Sequence, residues 1–404
     1  MERGLFNELS QFGLTYQEDD DIWFVGEKYS LVFHACISDC TIKKIIRMED
    51  SELLHSRQYW RLVKVQNKIV ILPCAYNKIV IFNTENNKFS TIYLHENISS
   101  CMSYIEERER LYLIDNSEII VLDVKHEKVD EYISIPYQDN ILITMALKTD
   151  GHILMPLICK NEVLDFHISD KQFTRLYLDC DANGFIAGIL DGTDVWLAGC
   201  NGNIVKWNYI SQKCTLYNKF PESFESFDYD EEGNFIPWKK GWTQGGCFKY
   251  WYDCFLIDDK IWFLPFLSRS LLYLDKKTNE ICEYPFENED ETEYTMKKHR
   301  FPKFLFIGIE KERFIKIYSV KRDMIYSIDT VTLNYTEEMF NIDEVDEAGI
   351  EEEYRNILYN KASTEGILEN KNISIKEFID IVDQNTTNTN TDLTTLDGQV
   401  GAQV

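Results

Sequence analysis

The sequence has little glycine or proline, no run of about 18 apolar residues, and no cysteine pair with C-x-x-C spacing. Without a long apolar run, no helix of this sequence is expected to span a membrane. Residues 1–8 include acidic side chains where a signal peptide needs an apolar core. A 44% hydrophobic and 27% charged composition is that of an ordinary globular protein, so disorder of the whole chain is excluded.

Basic residues are also in deficit. The chain has 42 Lys and Arg against 68 Asp and Glu, which gives a formal net charge of −26. A strongly acidic protein repels phosphate backbones at long range, and we therefore predict that nucleic acid is not a partner.

The cysteines are numerous but do not resemble a disulfide framework. There are 11 of them, an odd number, and most lie in apolar, strand-like runs, as Cys74 and Cys254 do. Free cysteines behave as small buried hydrophobes. Together with the acidic N-terminus, this pattern predicts thiols in a reducing, cytoplasmic compartment and no structural disulfides.

Short β-rich runs recur along the chain. Aromatic residues make up 14% of it, which favours strands. Runs that begin at Ile69, Leu111, Ile153 and Val195 follow one another at 42-residue intervals. Each run lies between an acidic or glycine turn and a polar loop, and a third strand and a more polar fourth strand follow. Such units of about 40–50 residues are typical of propeller blades.

In this pattern the chain resembles repeat β-propellers of the kelch-like, WD-like and similar bacterial types, over residues 10–340. The kelch Gly-Gly doublet is absent apart from Gly245-Gly246 in an insertion, and the Gly-His and Trp-Asp pairs of WD repeats are absent. The resemblance therefore implies an architecture and no functional residues. The composition, rich in Ile, Lys, Asn and Glu, suggests a bacterial source.

We predict an all-β fold: a seven-bladed β-propeller of four-stranded antiparallel blades, with a short C-terminal helical extension. The alternative is a β-sandwich or two sheet domains. An acidic helical extension is expected over 341–384 and a disordered tail over 385–404. The predicted blades span about 10–47, 59–95, 98–136, 141–179, 183–220, 249–287 and 303–340.

Two insertions, 221–248 and 287–302, interrupt the period. In a propeller, the connections between blades and the loops between second and third strands emerge on one face, which we call the insertion-bearing face. Basic loop residues collect there, and field focusing at a ringed opening attracts anions. Alternatively, these basic residues are ordinary solvated side chains. The tryptophans of the first insertion suit stacking on a sugar ring or binding a peptide; the alternative is that they plug the channel. The predicted ligand-binding residues are Trp238, Lys239, Lys240, Trp242, Lys78, Lys160, Arg269, Lys321 and Arg322.

No catalytic, metal or cofactor motif is visible. There is no Gly-x-Ser-x-Gly elbow and no phosphate-binding glycine loop. His34 and Cys36 could share an ion, but a zinc site needs four ligands and no second close pair follows. We therefore predict no metal and no cofactor.

The prediction for function is a cytoplasmic, non-catalytic propeller binding module or scaffold. A protein, or a small polar or anionic ligand such as a saccharide, would be held over the channel mouth on the insertion-bearing face. One alternative is a carbohydrate-active propeller enzyme, a hydrolase or lyase, that uses the same face. Another is a scaffold whose C-terminal helices recruit a partner.

Overall fold

A computed structural model of the chain contains seven four-stranded antiparallel sheets and one two-stranded hairpin within its described residues. The predicted all-β, seven-bladed propeller is confirmed. The predicted extension and tail lie outside the described residues, apart from Asn341. The structure describes residues 14–341 except 27–30, 49–58, 75, 96–97, 99–100, 138–142, 159, 225–226, 230–234, 238–250, 266–267, 269, 287–288, 290–303 and 321.

Each sheet is one blade, and its four strands are paired in chain order. The first strands of neighbouring blades contact one another, as β1 and β5 or β17 and β23 do, so the first strand is innermost. Blade 1 has β1 (Tyr16–Glu18), β2 (Asp21–Val25), β3 (Leu31–Cys36) and β4 (Ile42–Arg47). Blade 2 has β5 (Tyr59–Val65), β6 (Lys68–Pro73), β7 (Lys78–Asn83) and β8 (Lys88–Tyr93). Blade 3 has β9 (Ser103–Glu107), β10 (Arg110–Ile114), β11 (Glu118–Asp123) and β12 (Lys128–Ser134). Blade 4 has β13 (Leu147–Thr149), β14 (His152–Pro156), β15 (Glu162–His167) and β16 (Phe173–Tyr177).

The remaining three blades follow the same plan. Blade 5 has β17 (Phe185–Asp191), β18 (Asp194–Gly199), β19 (Ile204–Asn208) and β20 (Lys213–Tyr217). The hairpin of β21 (Phe227–Tyr229) and β22 (Phe235–Pro237) lies in the first insertion. Blade 6 has β23 (Trp251–Ile257), β24 (Lys260–Pro265), β25 (Ser270–Asp275) and β26 (Glu280–Pro285). Blade 7 has β27 (Phe304–Glu310), β28 (Phe314–Ser319), β29 (Met324–Asp329) and β30 (Tyr335–Glu338).

Burial falls from the second strand of each blade to the fourth. In β6 and β24 every residue after the first is buried, whereas no residue of β8 is. Neighbouring blades cover both faces of the second and third strands, and these strands therefore need continuous apolar runs. The seam between blades 2 and 3, for example, packs Val70 and Ile79 against Leu111 and Ile120.

The ring closes between blades 1 and 7 through a side chain that imitates a strand. The amide of Gln17 in β1 donates from Nε2 to the carbonyl of Ile309 in β27 (2.7 Å), and the Ile309 N–H donates to Gln17 Oε1 (2.7 Å). Thr15 Oγ1 donates to the Ile307 carbonyl (2.6 Å). Since β1 and β27 belong to different sheets, these bonds join the two ends of the repeat.

A second closing contact lies near the outer strands. Asn341, which follows β30, forms a parallel bridge with Thr41. Its N–H donates to the Cys40 carbonyl (2.8 Å), and its carbonyl accepts from the Ile42 N–H (2.7 Å). Blade 1 nevertheless contains four strands of its own, so closure relies on these contacts and not on an exchanged strand.

Gly308 is expected to tolerate no side chain at this closure. A Cβ there would lie 2.5 Å from Gln17 Oε1 and 2.6 Å from Ile37 Cδ1. We expect Gly308→Ala to lower the free energy of unfolding by about 1–3 kcal/mol, as overpacking does, because Gln17 must leave its two hydrogen bonds.

A double-mutant cycle checks this mechanism by denaturant unfolding. In a Gln17→Ala background the cost of Gly308→Ala should shrink, since the clashing amide is gone. An equal cost in both backgrounds would contradict the proposed clash.

Candidate ligand site in the central channel

The inner strands of blades 2 and 6 begin with the same local pattern. Tyr59–Arg61 opens β5 and Trp251–Asp253 opens β23: two aromatic residues, then a charged one. In both strands the register shifts at the second residue, so Trp60 and Tyr252 occupy β-bulges. A bulge bends its strand and redirects the side chains beside it. Here it sets the direction of Arg61 and Asp253.

The charges of Arg61 and Asp253 interact, although the two residues belong to blades that are not neighbours. Blades 2 and 6 are separated by intervening blades in both directions around the ring, yet the charges of the two side chains influence one another's pKa. This interaction requires both side chains to point towards the axis. The charge of Arg61 also acts on Tyr104, in the inner strand β9 of blade 3, and Tyr252 acts on Arg61. The four side chains therefore form one group, the channel cluster.

The channel cluster is enclosed by protein but not sealed from solvent, since all four residues keep partial exposure. Desolvation raises the pKa of Asp253 to about 6, against the opposing effects of the Arg61 charge and of a hydrogen bond from the Cys254 N–H. Desolvation likewise raises the pKa of Tyr104 to about 12 and lowers that of Arg61. Each shift disfavours charge, as is expected in a channel of low effective dielectric.

One donor of the channel cluster has no hydrogen-bond partner in the part of the chain that the structure describes. Arg61 Nε is buried and makes no hydrogen bond to any described residue. A buried polar group without a partner costs about 1–3 kcal/mol. The site therefore offers a cationic donor, tyrosine hydroxyls, and a carboxyl group that changes its protonation state near pH 6.

The position of the channel cluster along the ring axis follows from the direction in which the first strands run. Arg61, Tyr104 and Asp253 occur within the first three residues of their inner strands. Those strands are entered from the connections between blades, and the channel cluster consequently lies at the end of the channel where these connections emerge. This is the insertion-bearing face, on which the hairpin segment between blades 5 and 6 also begins.

Of the nine residues predicted from the sequence to bind a ligand, three are described. Lys78, at the start of β7, places Nζ 4.7 Å from the ring centroid of Tyr76 and 5.4 Å from that of Tyr93. Lys160 lies half-buried in the loop between β14 and β15. The other six lie outside the described residues: Trp238, Lys239, Lys240, Trp242, Arg269 and Lys321.

Arg322, the third described residue, has structural partners. Its guanidinium donates from Nη1 to Glu337 Oε1 (2.6 Å) and to the Tyr326 hydroxyl (2.7 Å). Tyr326 and Ser319 in turn donate to Glu289 Oε1, at 2.8 and 2.7 Å. Glu289 belongs to the second insertion and is 5% exposed, so this network ties the insertion to blade 7.

The structure does not bring Lys78, Lys160 and Arg322 together. Lys78 opens β7 of blade 2, and the other two lie in loops of blades 4 and 7, all farther from the axis than the first strands. The channel cluster itself was missed by the sequence analysis. A usable signal was present: a charged residue in third place after two aromatic residues, in both Tyr59–Arg61 and Trp251–Asp253.

The pair singled out for metal binding has other partners. His34 Nε2 lies 2.9 Å from Asp21 Oδ1, and its ring stacks on Trp23 at 3.9 Å between centroids. Cys36 Sγ donates to Asp20 Oδ2 (2.9 Å). The nine cysteines that the structure describes form no disulfide bond with one another. Within the described part of the chain, no helix is long and apolar enough to cross a membrane.

Comparisons with known proteins agree on the fold. A catalytically inactive virginiamycin B lyase from Staphylococcus aureus, with quinupristin, is 11% identical, with a TM-score of 0.57 over 78% of this chain and 93% of that one. Selenomethionine-substituted virginiamycin B lyase from the same organism is 13% identical, with a TM-score of 0.56 over 78% and 92%. The computationally designed Ika8 protein is 9% identical, with a TM-score of 0.53 over 82% and 87%. Neither a protein-family model nor a curated protein sequence matches the chain. At such low identity, these likenesses show that the chain shares the propeller fold, and that alone.

Proposed function

We propose that the protein is a non-catalytic binding module that holds a small carboxylate-bearing ligand at the channel mouth, with Arg61 as the anchoring residue. The observation that carries the proposal is the enclosed guanidinium, whose buried Nε has no hydrogen-bond partner among the described residues. A carboxylate supplies two acceptors in the geometry that a guanidinium prefers, and a charge-assisted pair of this kind is stronger than a neutral hydrogen bond.

The tyrosines narrow the ligand class. Tyr104 and Tyr252 both act electrostatically on Arg61, and a tyrosine offers both an apolar ring face and a hydroxyl. A sugar acid combines a carboxylate with a ring that can pack on such a face. Trp238, Lys239, Lys240 and Trp242 would extend the site from the insertion, a part of the proposal that rests on their sequence position alone.

Glucuronate is the probe for the first test, with acetate as the comparison that lacks the sugar ring. We expect Arg61→Met to weaken glucuronate binding at least tenfold in isothermal titration calorimetry, because the anchoring charge is lost. The substitution leaves no unpaired buried charge at pH 5, where Asp253 is largely protonated, because its pKa of about 6 rises further once the Arg61 charge is lost. Thermal unfolding at that pH should therefore change little.

Arg313→Met is the matched control. Arg313 pairs with Asp329 (2.5 Å) beside the turn between β27 and β28, on the opposite face of the ring, and its loss should leave binding unchanged. Equal glucuronate affinity in the wild type and in Arg61→Met would overturn the anchoring role.

Binding should also depend on pH through Asp253. Its pKa of about 6 means that it is largely protonated at pH 5 and ionised at pH 7.5. Ionisation places a second negative charge in the channel, so the affinity for glucuronate should fall over this range. Asp253→Asn, which stays neutral, should bind with a nearly flat profile. A wild-type affinity that rises with pH would contradict the proposed arrangement.

An enzymatic function on carbohydrate is the second candidate, and the raised pKa of Asp253 favours it. A carboxyl that titrates near pH 6 suits general acid–base catalysis. The charged neighbour of Asp253 is Arg61, whereas a glycosidase places a second carboxylate beside its catalytic carboxyl group. Elimination, which needs one base and a cation beside the substrate's carboxylate, fits this pair better. Steady release of unsaturated product from polygalacturonate, abolished in Asp253→Asn, would establish the lyase and overturn the binding module.

Two further parts of the proposal rest on composition. We propose a cytoplasmic location, because the nine described cysteines of the 11 in the chain form no disulfide bond with one another, and a bacterial source, because the composition is rich in Ile, Lys, Asn and Glu. The protein would act as a scaffold if it bound a protein partner, either on the insertion-bearing face or through the predicted helices over 341–384. Retention of a partner by the full chain but not by a chain ending at residue 341 would support the helices as the contact.

A further inference from the structure

We propose that His152, Asp165 and His167 form a binding site for a divalent transition metal on blade 4. His152 begins β14 and His167 ends β15, and the two residues are directly opposite in the antiparallel register. Asp165 precedes His167 by two residues and therefore points to the same face of the blade. The strand pairing unites residues that are far apart along the chain, which explains why the sequence predicted no metal site.

The distances between donor atoms suit a small metal ion. His152 Nδ1 lies 2.9 Å and 3.1 Å from the two carboxylate oxygens of Asp165, and His167 Nε2 lies 3.6 Å from Asp165 Oδ2. All three donors lie within 4.8 Å of one another. A tetrahedral zinc ion with bonds of about 2.0–2.1 Å separates its ligand atoms by about 3.3 Å. Only small side-chain rotations are therefore needed to enclose an ion.

The site is open on one side. The side chains of His152 and His167 are 36% and 35% exposed, and that of Asp165 is 13% exposed. On the same face of the blade, Leu154 and Val163 pack into the apolar seam with blade 5. Three protein ligands above an apolar floor, with one side open, leave a fourth position for water. Two imidazoles and one carboxylate suit Zn²⁺ and similar divalent ions.

Two other histidine–aspartate pairs provide an internal comparison. His34 lies 2.9 Å from Asp21, and His126 lies 2.7 Å from Asp123. Each has one histidine. Among the described residues, the blade 4 group is the one in which three such ligands converge. The second histidine, directly across the strand pair, distinguishes it.

This site is separate from the channel cluster. His152 follows the turn between β13 and β14, and His167 precedes the turn between β15 and β16, so both lie on the face opposite the insertions. Metal binding and glucuronate binding can consequently be tested independently, and the failure of one leaves the other standing.

The test is a Zn²⁺ titration of the chelator-treated full-length protein, followed by calorimetry and by melting temperature. We expect the wild type to bind Zn²⁺ and to gain thermal stability. In His167→Gln and in His152→Gln, affinity should fall at least tenfold and the gain in melting temperature should be lost. His126→Gln should behave as the wild type. Unchanged affinity in His167→Gln would overturn the proposal.

Co²⁺ separates this site from the thiols. Cobalt bound by nitrogen and oxygen shows weak visible bands without sulfur-to-cobalt charge transfer, whereas a thiolate site such as one at Cys180 and Cys214 would show that transfer. We expect visible bands that disappear in His167→Gln. A spectrum dominated by charge transfer, and identical in the wild type and His167→Gln, would assign the metal to cysteine and contradict the blade 4 site.

Discussion

Removal of blade 7 is expected to abolish the cooperative folded state. A chain that ends at residue 302 loses β27, and with it the hydrogen bonds that Gln17 of β1 and the preceding Thr15 make to that strand. It also exposes the seam in which Trp262 and Phe255 of blade 6 pack against Ile315 and Ile317 of blade 7. Uncovered apolar faces and open strand edges favour aggregation. Circular dichroism during heating should show no sharp transition, and size-exclusion chromatography should show aggregates.

A chain that ends at residue 341 is the matched control, because it retains all seven blades and the bridge from Asn341 to Thr41. It should unfold in one cooperative transition near that of the full chain. A chain ending at 302 that stayed monomeric and melted sharply would show that the six remaining blades do not depend on closure.

The second large effect is expected at Glu338. Lys316 in β28 is 1% exposed, and its Nζ lies 2.6 Å from Glu338 Oε2 and 3.4 Å from Glu310 Oε2. Cys40 of blade 1 also donates to Glu338 (3.2 Å). Glu338→Gln removes the nearer countercharge from a buried ammonium group. Breaking a fully buried ion pair costs about 3–5 kcal/mol. Glu338 is 31% exposed and Glu310 stays beside Lys316, so we expect a loss towards the lower end of that range, which denaturant unfolding can measure.

Two variants sharpen that test. Asp259→Asn breaks the solvent-exposed pair with Lys277 and should cost far less, because exposed pairs contribute little. Lys316→Met combined with Glu338→Gln should recover most of the loss, since the buried ammonium group is then gone as well and Glu310 keeps its pair with Lys311. If Glu338→Gln proves as mild as Asp259→Asn, the ion pair does not stabilise this interface.

The ion pair between Lys316 and Glu338 also determines how the stability of the folded state changes with pH. Burial lowers the pKa of Lys316, but the hydrogen bond with Glu338 and the nearby carboxylates outweigh this, and the pKa lies above the ordinary value of 10.5. The stabilisation is therefore complete below pH 10.5 and is lost as the pH rises through the folded-state pKa. Alkaline unfolding should be less steep in the double variant than in the wild type.

The blades could be predicted from the sequence because their signal is local. Runs that begin at Ile69 and Leu111 repeat at a fixed spacing, and each carries the apolar pattern of a strand buried on both faces. Ring closure could not be predicted in the same way. It depends on the side chain of Gln17 reaching β27, and a polar residue in a short first strand has no distinctive pattern.

The location of the candidate site could likewise be predicted from the sequence, but its residues could not. The end of the channel was inferred from where loops emerge, and the proposed channel cluster lies at that end. Its residues were missed, because Arg61 and Asp253 meet only when blades 2 and 6 occupy opposite sides of a ring, and because one bulge in each strand sets their direction. Lys239 and Trp242 lie in an insertion without a repeat pattern, where sequence indicates composition but not position.

The most direct test of the channel cluster is the pKa of Asp253, measured by carbon NMR of its labelled carboxyl in the wild type and in Arg61→Met. The arrangement predicts a wild-type value near 6. In the variant the value should be higher, because the Arg61 charge that favours the ionised form has been removed. An Asp253 pKa that is unchanged by Arg61→Met would show that the charges of the two side chains do not interact, and would contradict the proposed ligand site.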